Sequence, residues 1–210
     1  MTSLFPMFVK LTGRQVLVVG GGKVAEPKIA GLLETGAHIR VVTIDASAGV
    51  RRWAEAKRID LQLRKFSACD LDGCFLAVVA TASRSLNELV YAEAQKRGVL
   101  CNVVDVPDVC DFYYPAVVRR GDLQIAVSTA GHSPSLAQKL RQQLERQFGP
   151  GYAEWVAELG ETRQVIRQSN LSAEHKSELL HSLASRDAVE AAIAEEASAY
   201  ETLAAGGESA

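Results

Sequence analysis

Val16-Leu17-Val18-Val19-Gly20-Gly21-Gly22-Lys23-Val24-Ala25 reads as a buried strand that runs into a glycine turn and opens a helix. Gly20, Gly22 and Ala25 fit the pattern G-x-G-x-x-A. There the first glycine permits a tight turn, the second lets backbone N–H groups approach a pyrophosphate, and a small third residue lets helix pack on strand. An ordinary βα turn satisfies the same residues, so the stretch takes its meaning from its surroundings.

Downstream, the spacing of Ile29, Leu32 and Leu33 predicts a helix to about Thr35, stopped by Gly36. Pro27 has no N–H to donate and is tolerated only in a first turn, so this helix begins no earlier than about Ala25. Upstream, the interrupted apolar lead-in of Phe5, Phe8, Val9 and Leu11 is expected to pack against the sheet. A second strand over 39–43 ends in Thr43-Ile44-Asp45. Asp45 follows Gly20 by 25 residues, near the ~20-residue separation at which a carboxylate accepts from the ribose hydroxyls of NAD and disfavours the extra phosphate of NADP. The alternative is that Asp45 starts or caps the next helix, which carries Val50 and Trp53.

Strands over 61–63 and 75–80 follow, the latter closing on Thr81. A helix over 86–97 with Leu86, Leu89, Val90 and Ala94 at helical spacing ends at Gly98, and a fifth strand spans 100–104, through Val104. Strands that alternate with helices at this spacing imply right-handed crossovers and a parallel sheet that binds ligand at the carboxyl ends of its strands. The glycine turn, Asp45, Thr81 and Asp105 then share one edge.

After Asp105 the pattern changes. Residues 116–118 and 123–128 read as two strands around Arg119-Arg120-Gly121-Asp122, a hairpin whose open edge seeks a partner. Ser133 and Pro134 are N-cap and first residue of a helix with the stripe Leu136, Leu140, Leu144 and Phe148. Such a stripe suits a core or a dimer interface, and Lys139, Arg141 and Arg146 suit a solvated face. Gly149-Pro150-Gly151 is a linker. Helical patterns follow, with Trp155, Val156 and Leu159, then a helix capped by Ser172, then a last helix near 187–203. Residues 206–210 read as a disordered tail.

The chain of 210 residues carries 23 Lys and Arg against 25 Asp and Glu, a net charge of −2, so no global basic field points to nucleic acid or an anionic membrane. No apolar run approaches the ~18 residues that span a bilayer, and no secretory leader pattern opens the chain, so a cytoplasmic location is expected. Cys69, Cys74, Cys101 and Cys110 lack metal-ligand or redox spacing and read as reduced structural thiols. No metal site is expected.

Two places carry possible chemistry. Asp105 puts a carboxylate just past a buried strand, where it serves as a general base or caps the loop before Pro107. Ser128-Thr129-Ala130-Gly131-His132-Ser133-Pro134 sets hydroxyls and N–H groups at a helix start, a setting for an anion or for simple capping. No G-x-S-x-G elbow supports hydrolase chemistry.

Together with Lys28, Leu32-Leu33 and Gly36-Ala37, the run Gly20-Gly21-Gly22-Lys23-Val24-Ala25 is followed in order by Asn102-Val103-Val104-Asp105, Cys110-Asp111-Phe112, Pro115-Ala116, Arg120-Gly121, Ser128-Thr129 and Ser133-Pro134 with Leu136-Ala137. This ordered set resembles the siroheme synthase family, in its precorrin-2 dehydrogenase/sirohydrochlorin ferrochelatase module, over roughly residues 4–148. No methyltransferase module follows, so the free-standing form is expected.

The resemblance implies NAD-dependent oxidation of precorrin-2 to sirohydrochlorin, with ferrous iron insertion as a second activity that some members carry. It implies a homodimer that exchanges hairpin and helix, with the tetrapyrrole between the nucleotide domain and the dimerisation and helical regions. Carried over by position, Asp105 and Ser128 are the catalytic residues. Gly20, Gly22, Lys23, Val24, Ala25, Asp45, Thr81 and Val104 bind the cofactor. Arg119, Arg120, Lys139 or Arg141 would meet the substrate carboxylates. Pro27, Ser83 and Thr43 depart from the family pattern in the nucleotide loops. The expected architecture is α/β: a Rossmann-like parallel sheet with helices on both faces over 1–112, a hairpin-plus-helix dimerisation region over 113–148, and an α-helical domain over 149–205. The alternative function is an NAD-sensing regulatory module, which has no need of a carboxylate at Asp105.

Overall fold

Strand β1 (Gln15–Gly21) is buried from Val16 onward, as an unbroken apolar strand covered on both faces must be. Its side chains alternate. Val16 and Val18 enter one core with Ile29 and Leu32, whereas Leu17 and Val19 enter a second core with Val90 and Ala94. Helices α1 (Glu26–Leu33) and α2 (Ala48–Glu55) therefore cover one face of the sheet, and α3 (Arg84–Arg97) covers the other.

The computed structural model describes residues 4–184. The chain divides into two compact units, Met1–Tyr114 and Pro115–Ala210. In the first, β2 (His38–Ala46), β3 (Asp60–Leu63), β4 (Leu76–Val79) and β5 (Leu100–Val103) join β1 in a five-stranded sheet of order β3-β2-β1-β4-β5, parallel throughout. The chain winds outward from β1 through β2 to β3 and resumes at β4 on the opposite side. The crevice between β1 and β4 is thus the topological switch point, where open α/β sheets bind ligands.

Helix α1 starts late, as Pro27 requires: Ala25 is its N-cap and Pro27 lies in its first turn. Strand β2 runs to Ala46, beyond the expected 43, because the register with β1 shifts between Val19 and Gly21 and pairing resumes at Gly21 and Ala46. The lead-in differs from expectation. Leu11 is buried, but Phe5 is 82% exposed and Phe8 and Val9 are also exposed, since residues 4–10 form neither strand nor helix that could hold them on the sheet.

In the second unit, β6 (Ala116–Arg120) and β7 (Leu123–Val127) pair antiparallel around a Gly121-Asp122 turn, with Gly121 at φ +53°. Helix α4 (Pro134–Gln147) is capped by Ser133, whose Oγ accepts the Leu136 N–H at 3.3 Å. Helices α5 (Tyr152–Gln168) and α6 (Ala173–Leu183) follow, α6 capped by Ser172. The stripe of α4 stays open in the single chain, with Leu136 47% and Leu140 37% exposed. No described helix is long and apolar enough to cross a membrane. The helix expected near 187–203 and the tail over 206–210 lie outside the described residues.

Candidate functional site

The three glycines after β1 have different reasons to be glycine. Gly20 has φ +106°, and a Cβ there would lie 2.2 Å from the carbonyl oxygen of Ala80, so the passage of β1 beside the end of β4 leaves no room for a side chain. A Cβ on Gly21 would meet Thr43 Cγ2 at 2.8 Å, beside the bulge. On Gly22 it would meet nothing within 4 Å, and φ there is not positive.

Ala25 and Glu26 donate their N–H groups to the Gly22 carbonyl at 3.0 and 3.3 Å, whereas those of Lys23 and Val24 have no acceptor among the described residues. Gly22 is therefore the glycine whose missing side chain the fold itself does not need. An open cradle with unused donors at the start of α1 fits a pyrophosphate. Ala25, fully buried, is the small residue that seats α1 on the sheet.

Asp45 lies at the end of β2 with its side chain 85% exposed. Its Oδ1 accepts from the Ala46 N–H at 2.8 Å and from Arg51 Nη2 at 2.9 Å, while Arg51 Nε donates to the Ala46 carbonyl at 3.0 Å. Asp45 does not cap α2. That role belongs to Ser47, whose Oγ accepts the Val50 N–H at 3.3 Å and donates to Glu26 Oε1 from the first turn of α1.

Thr81 touches the glycine turn: its methyl carbon would lie 3.3 Å from a Cβ on Gly20. Its hydroxyl donates to Oδ1 of the buried Asn87 at 2.6 Å and accepts the Ser83 N–H at 3.2 Å. Thr81 thus builds the loop between β4 and α3. Val104 donates its N–H to the Val79 carbonyl at 2.9 Å and extends the pairing of β5 with β4 one residue toward Asp105.

Asp105 is exposed and has φ +63°, a left-handed conformation uncommon for a residue with a side chain. The cause is the segment that follows. After a 3-10 turn at Pro107–Val109, the chain folds back antiparallel along β5 and bridges Cys110 to Asn102. Asp111 Oδ2 accepts from the Cys101 N–H at 2.8 Å and from Gln95 Nε2 at 2.7 Å, and the buried Asn102 donates to the Phe112 carbonyl at 2.7 Å. This segment shields the outer edge of β5 and leaves Asp105 at the apex of the reversal.

The returning segment ends at Tyr114, whose ring faces Phe112 at 5.7 Å and carries the Lys28 ammonium 4.2 Å from its centroid. Lys28, in the first turn of α1, is half-buried. Burial pushes its pKa below the usual lysine value, and the charge of Asp105 pulls it partly back. The Tyr114 hydroxyl is pushed up to about 12 by loss of hydration, so it stays protonated. Lys28 and Tyr114 lie far apart in sequence, and only the paired charge sign of Lys28 and Asp105 hints at their association.

In the second unit, Ser128 is exposed and its Oγ accepts the Ala130 N–H at 3.1 Å. Ala130 and Gly131 are both left-handed, with φ of +51° and +83°, and Thr129 holds the loop by accepting from Ser133 and His132. Two basic residues considered for substrate carboxylates are already engaged. Arg120 donates to the carbonyls of Phe148 at 2.9 Å and Glu145 at 3.1 Å at the end of α4, and Arg141 pairs with Glu145. Lys139 is exposed.

All four cysteines are free. Burial raises the pKa of Cys74 and Cys110 and pushes Cys101 up to about 12, so these thiols stay neutral. No group of three or more His, Cys, Asp or Glu placed to hold a metal ion occurs among the described residues.

Comparison with known proteins follows this division. Residues 7–116 match the family described as putative NAD(P)-binding, and residues 120–147 match the central segment of sirohaem biosynthesis proteins. The siroheme synthase of Nitrosococcus oceani is 39% identical over 163 residues, 78% of this chain and 35% of that protein. That of Pseudomonas fluorescens is 43% identical over 140 residues, 67% of this chain and 30% of that protein. The chain thus spans about a third of the length of these curated relatives. Among solved structures, SirC, a precorrin-2 dehydrogenase, superposes with a TM-score of 0.77 at 32% identity, covering 87% of this chain and 90% of that one. By these matches the chain belongs to the siroheme synthase family, in the part that joins an NAD(P)-binding unit to the sirohaem-biosynthesis central segment.

Proposed function

We propose that this protein oxidises precorrin-2 to sirohydrochlorin with NAD+ as electron acceptor, as a step in siroheme synthesis. The observation that carries the reading is the exposed carboxylate of Asp105, held at the carboxyl end of β5 in the same unit as the glycine turn. A sensor that binds a nucleotide without turning it over has no use for a carboxylate presented in this way.

Gly22, with the N–H groups of Lys23 and Val24, would hold the pyrophosphate, and Ala25 and Gly20 keep that cradle in place. Asp45 favours NAD over NADP: its exposed carboxylate accepts from ribose hydroxyls and repels a phosphate in their place. A bound nicotinamide cofactor supplies the hydride acceptor. The two hydrogens lost by the macrocycle leave as a hydride and a proton, and Asp105 takes the proton. The neutral cysteines take no part. Ser128 keeps its own O–H proton available for a substrate carboxylate, since within its loop it only accepts.

The open apolar stripe of Leu136 and Leu140 supports a homodimer. Ferrous iron insertion rests on the family resemblance and is assayed separately. The test is anaerobic incubation of the purified protein with NAD+ and freshly generated precorrin-2, followed by NADH formation and the sirohydrochlorin spectrum. Both signals are expected. NAD+ binding without either signal overturns the dehydrogenase reading and favours the sensor.

A further inference from the structure

Asp45 is exposed, yet both its backbone and its side chain are fixed. The Thr43 hydroxyl donates to the Asp45 carbonyl oxygen at 2.6 Å, and that oxygen would lie 3.2 Å from a Cβ on Gly21, so the backbone of residue 45 is set against the glycine turn. The side chain is held by a second set of bonds. Oδ1 accepts from the Ala46 N–H at 2.8 Å and from Arg51 Nη2 at 2.9 Å, and the same edge of the guanidinium donates from Nε to the Ala46 carbonyl at 3.0 Å. Oδ2 has no partner among the described residues.

The guanidinium is itself anchored. Arg51 is the fourth residue of α2, and its backbone N–H bonds to the Ser47 carbonyl at 3.0 Å. Ser47 donates its own N–H to the Gly21 carbonyl at 2.8 Å and its hydroxyl to Glu26 in the first turn of α1, so the clamp on Asp45 and the glycine cradle belong to one framework. An ion pair whose side chains are 44% and 85% exposed adds little to stability. Its consequence is orientation. A planar fork that spans two successive residues holds the carboxylate in one rotamer, and with both donors on Oδ1 the lone pairs of Oδ2 stay available to a ligand.

We propose that Arg51 is a positioning residue for the cofactor: by bridging Asp45 and Ala46 it fixes the carboxylate so that Oδ2 is presented to the adenosine ribose of NAD+. The proposal rests on the reading of Asp45 as the ribose acceptor. A carboxylate ordered in advance does not have to be ordered by the ligand, which favours binding. It also makes acceptance directional, so a ribose that lacks the hydroxyl leaves an acceptor unanswered. Lysine cannot take this place, because a single ammonium has no fork to span the carboxylate and the carbonyl.

The test is a binding measurement that needs no turnover. Kd values for NAD+ and for its analogue without the 2′-hydroxyl of the adenosine ribose are determined by fluorescence titration in wild type, Arg51→Met, Arg51→Lys, Asp45→Ala and the double variant Arg51→Met/Asp45→Ala. The wild type is expected to prefer NAD+ over the analogue about tenfold or more. Arg51→Met is expected to weaken NAD+ binding about fivefold and to cut that preference to about threefold or less, Arg51→Lys to leave most of the loss in place, and Arg51→Met to have little further effect in Asp45→Ala. A preference kept intact in Arg51→Met, equal losses in both Asp45 backgrounds, or full recovery in Arg51→Lys overturns this proposal alone. A wild type that binds both ligands equally well overturns the reading of Asp45 as the ribose acceptor, and the role of Arg51 with it.

Discussion

The carbonyl oxygen of Ala80 lies 2.2 Å from where a Cβ on Gly20 would sit, whereas a Cβ on Gly22, two residues on, would meet nothing within 4 Å. The first glycine serves the fold, and the second leaves space for something outside it. Gly20→Ala is expected to destabilise the protein by about 3 kcal/mol or more, since it adds a backbone clash to a strained positive φ. Gly22→Ala is expected to melt within a few degrees of the wild type and to lose about tenfold or more in NAD+ affinity. Thermal melts and a fluorescence titration with NAD+ measure both. A Gly22→Ala protein that binds NAD+ normally removes this turn from the cofactor site.

Asp45 is expected to set the choice of cofactor. Its carboxylate is tethered by the Ala46 N–H and Arg51, with most of its surface exposed. Asp45→Ala is expected to weaken NAD+ binding about tenfold and to leave NADP+ binding equal or tighter, because the repulsion toward the added phosphate goes and Arg51 is released to meet it. The Kd values of both cofactors for wild type and variant decide the matter.

Asp70 governs stability in acid. It is 3% exposed, receives both Nη groups of Arg64 at 2.8 and 2.5 Å, and accepts the Ser67 N–H at 2.8 Å. The Arg64 bonds hold its carboxyl below the ordinary value of 3.8, against the opposing effect of burial. The folded state therefore binds this proton more weakly than the unfolded chain. The resulting stability is complete above 3.8 and is lost as pH falls from there through the lower folded value. Asp70→Asn is expected to lower the melting temperature at neutral pH by about 5 °C or more and to flatten the fall in stability on the acid side. Unfolding curves across that pH range test both.

Much of the first unit was legible because it is periodic or sterically forced. The run from Val16 to Val19 could only be a strand buried on both faces, and Pro27 fixed the late start of α1. What escaped depends on contacts between distant residues. Thr43-Ile44-Asp45 reads as the end of a strand, yet β2 continues to Ala46 because the Ser47 N–H bonds to Gly21 across a bulge that no periodicity announces. Asp105 was legible as a carboxylate at a strand end. Its left-handed backbone was not, since that follows from Asp111 and Asn102 locking a segment that returns along β5. Charged residues show their sign and not their partners: Arg120, which the resemblance offers as a contact for substrate carboxylates, donates in the fold to the last carbonyls of α4.

Asp105 is proposed to take the proton in an oxidation of precorrin-2 by NAD+. The most direct measurement compares wild type and Asp105→Asn under anaerobic conditions, following NADH and sirohydrochlorin together and determining the Kd for NAD+ of each. A fall in kcat of about a hundredfold or more is expected for Asp105→Asn, with NAD+ affinity within about threefold of the wild type. An Asp105→Asn enzyme that forms NADH and sirohydrochlorin at the wild-type rate would contradict it.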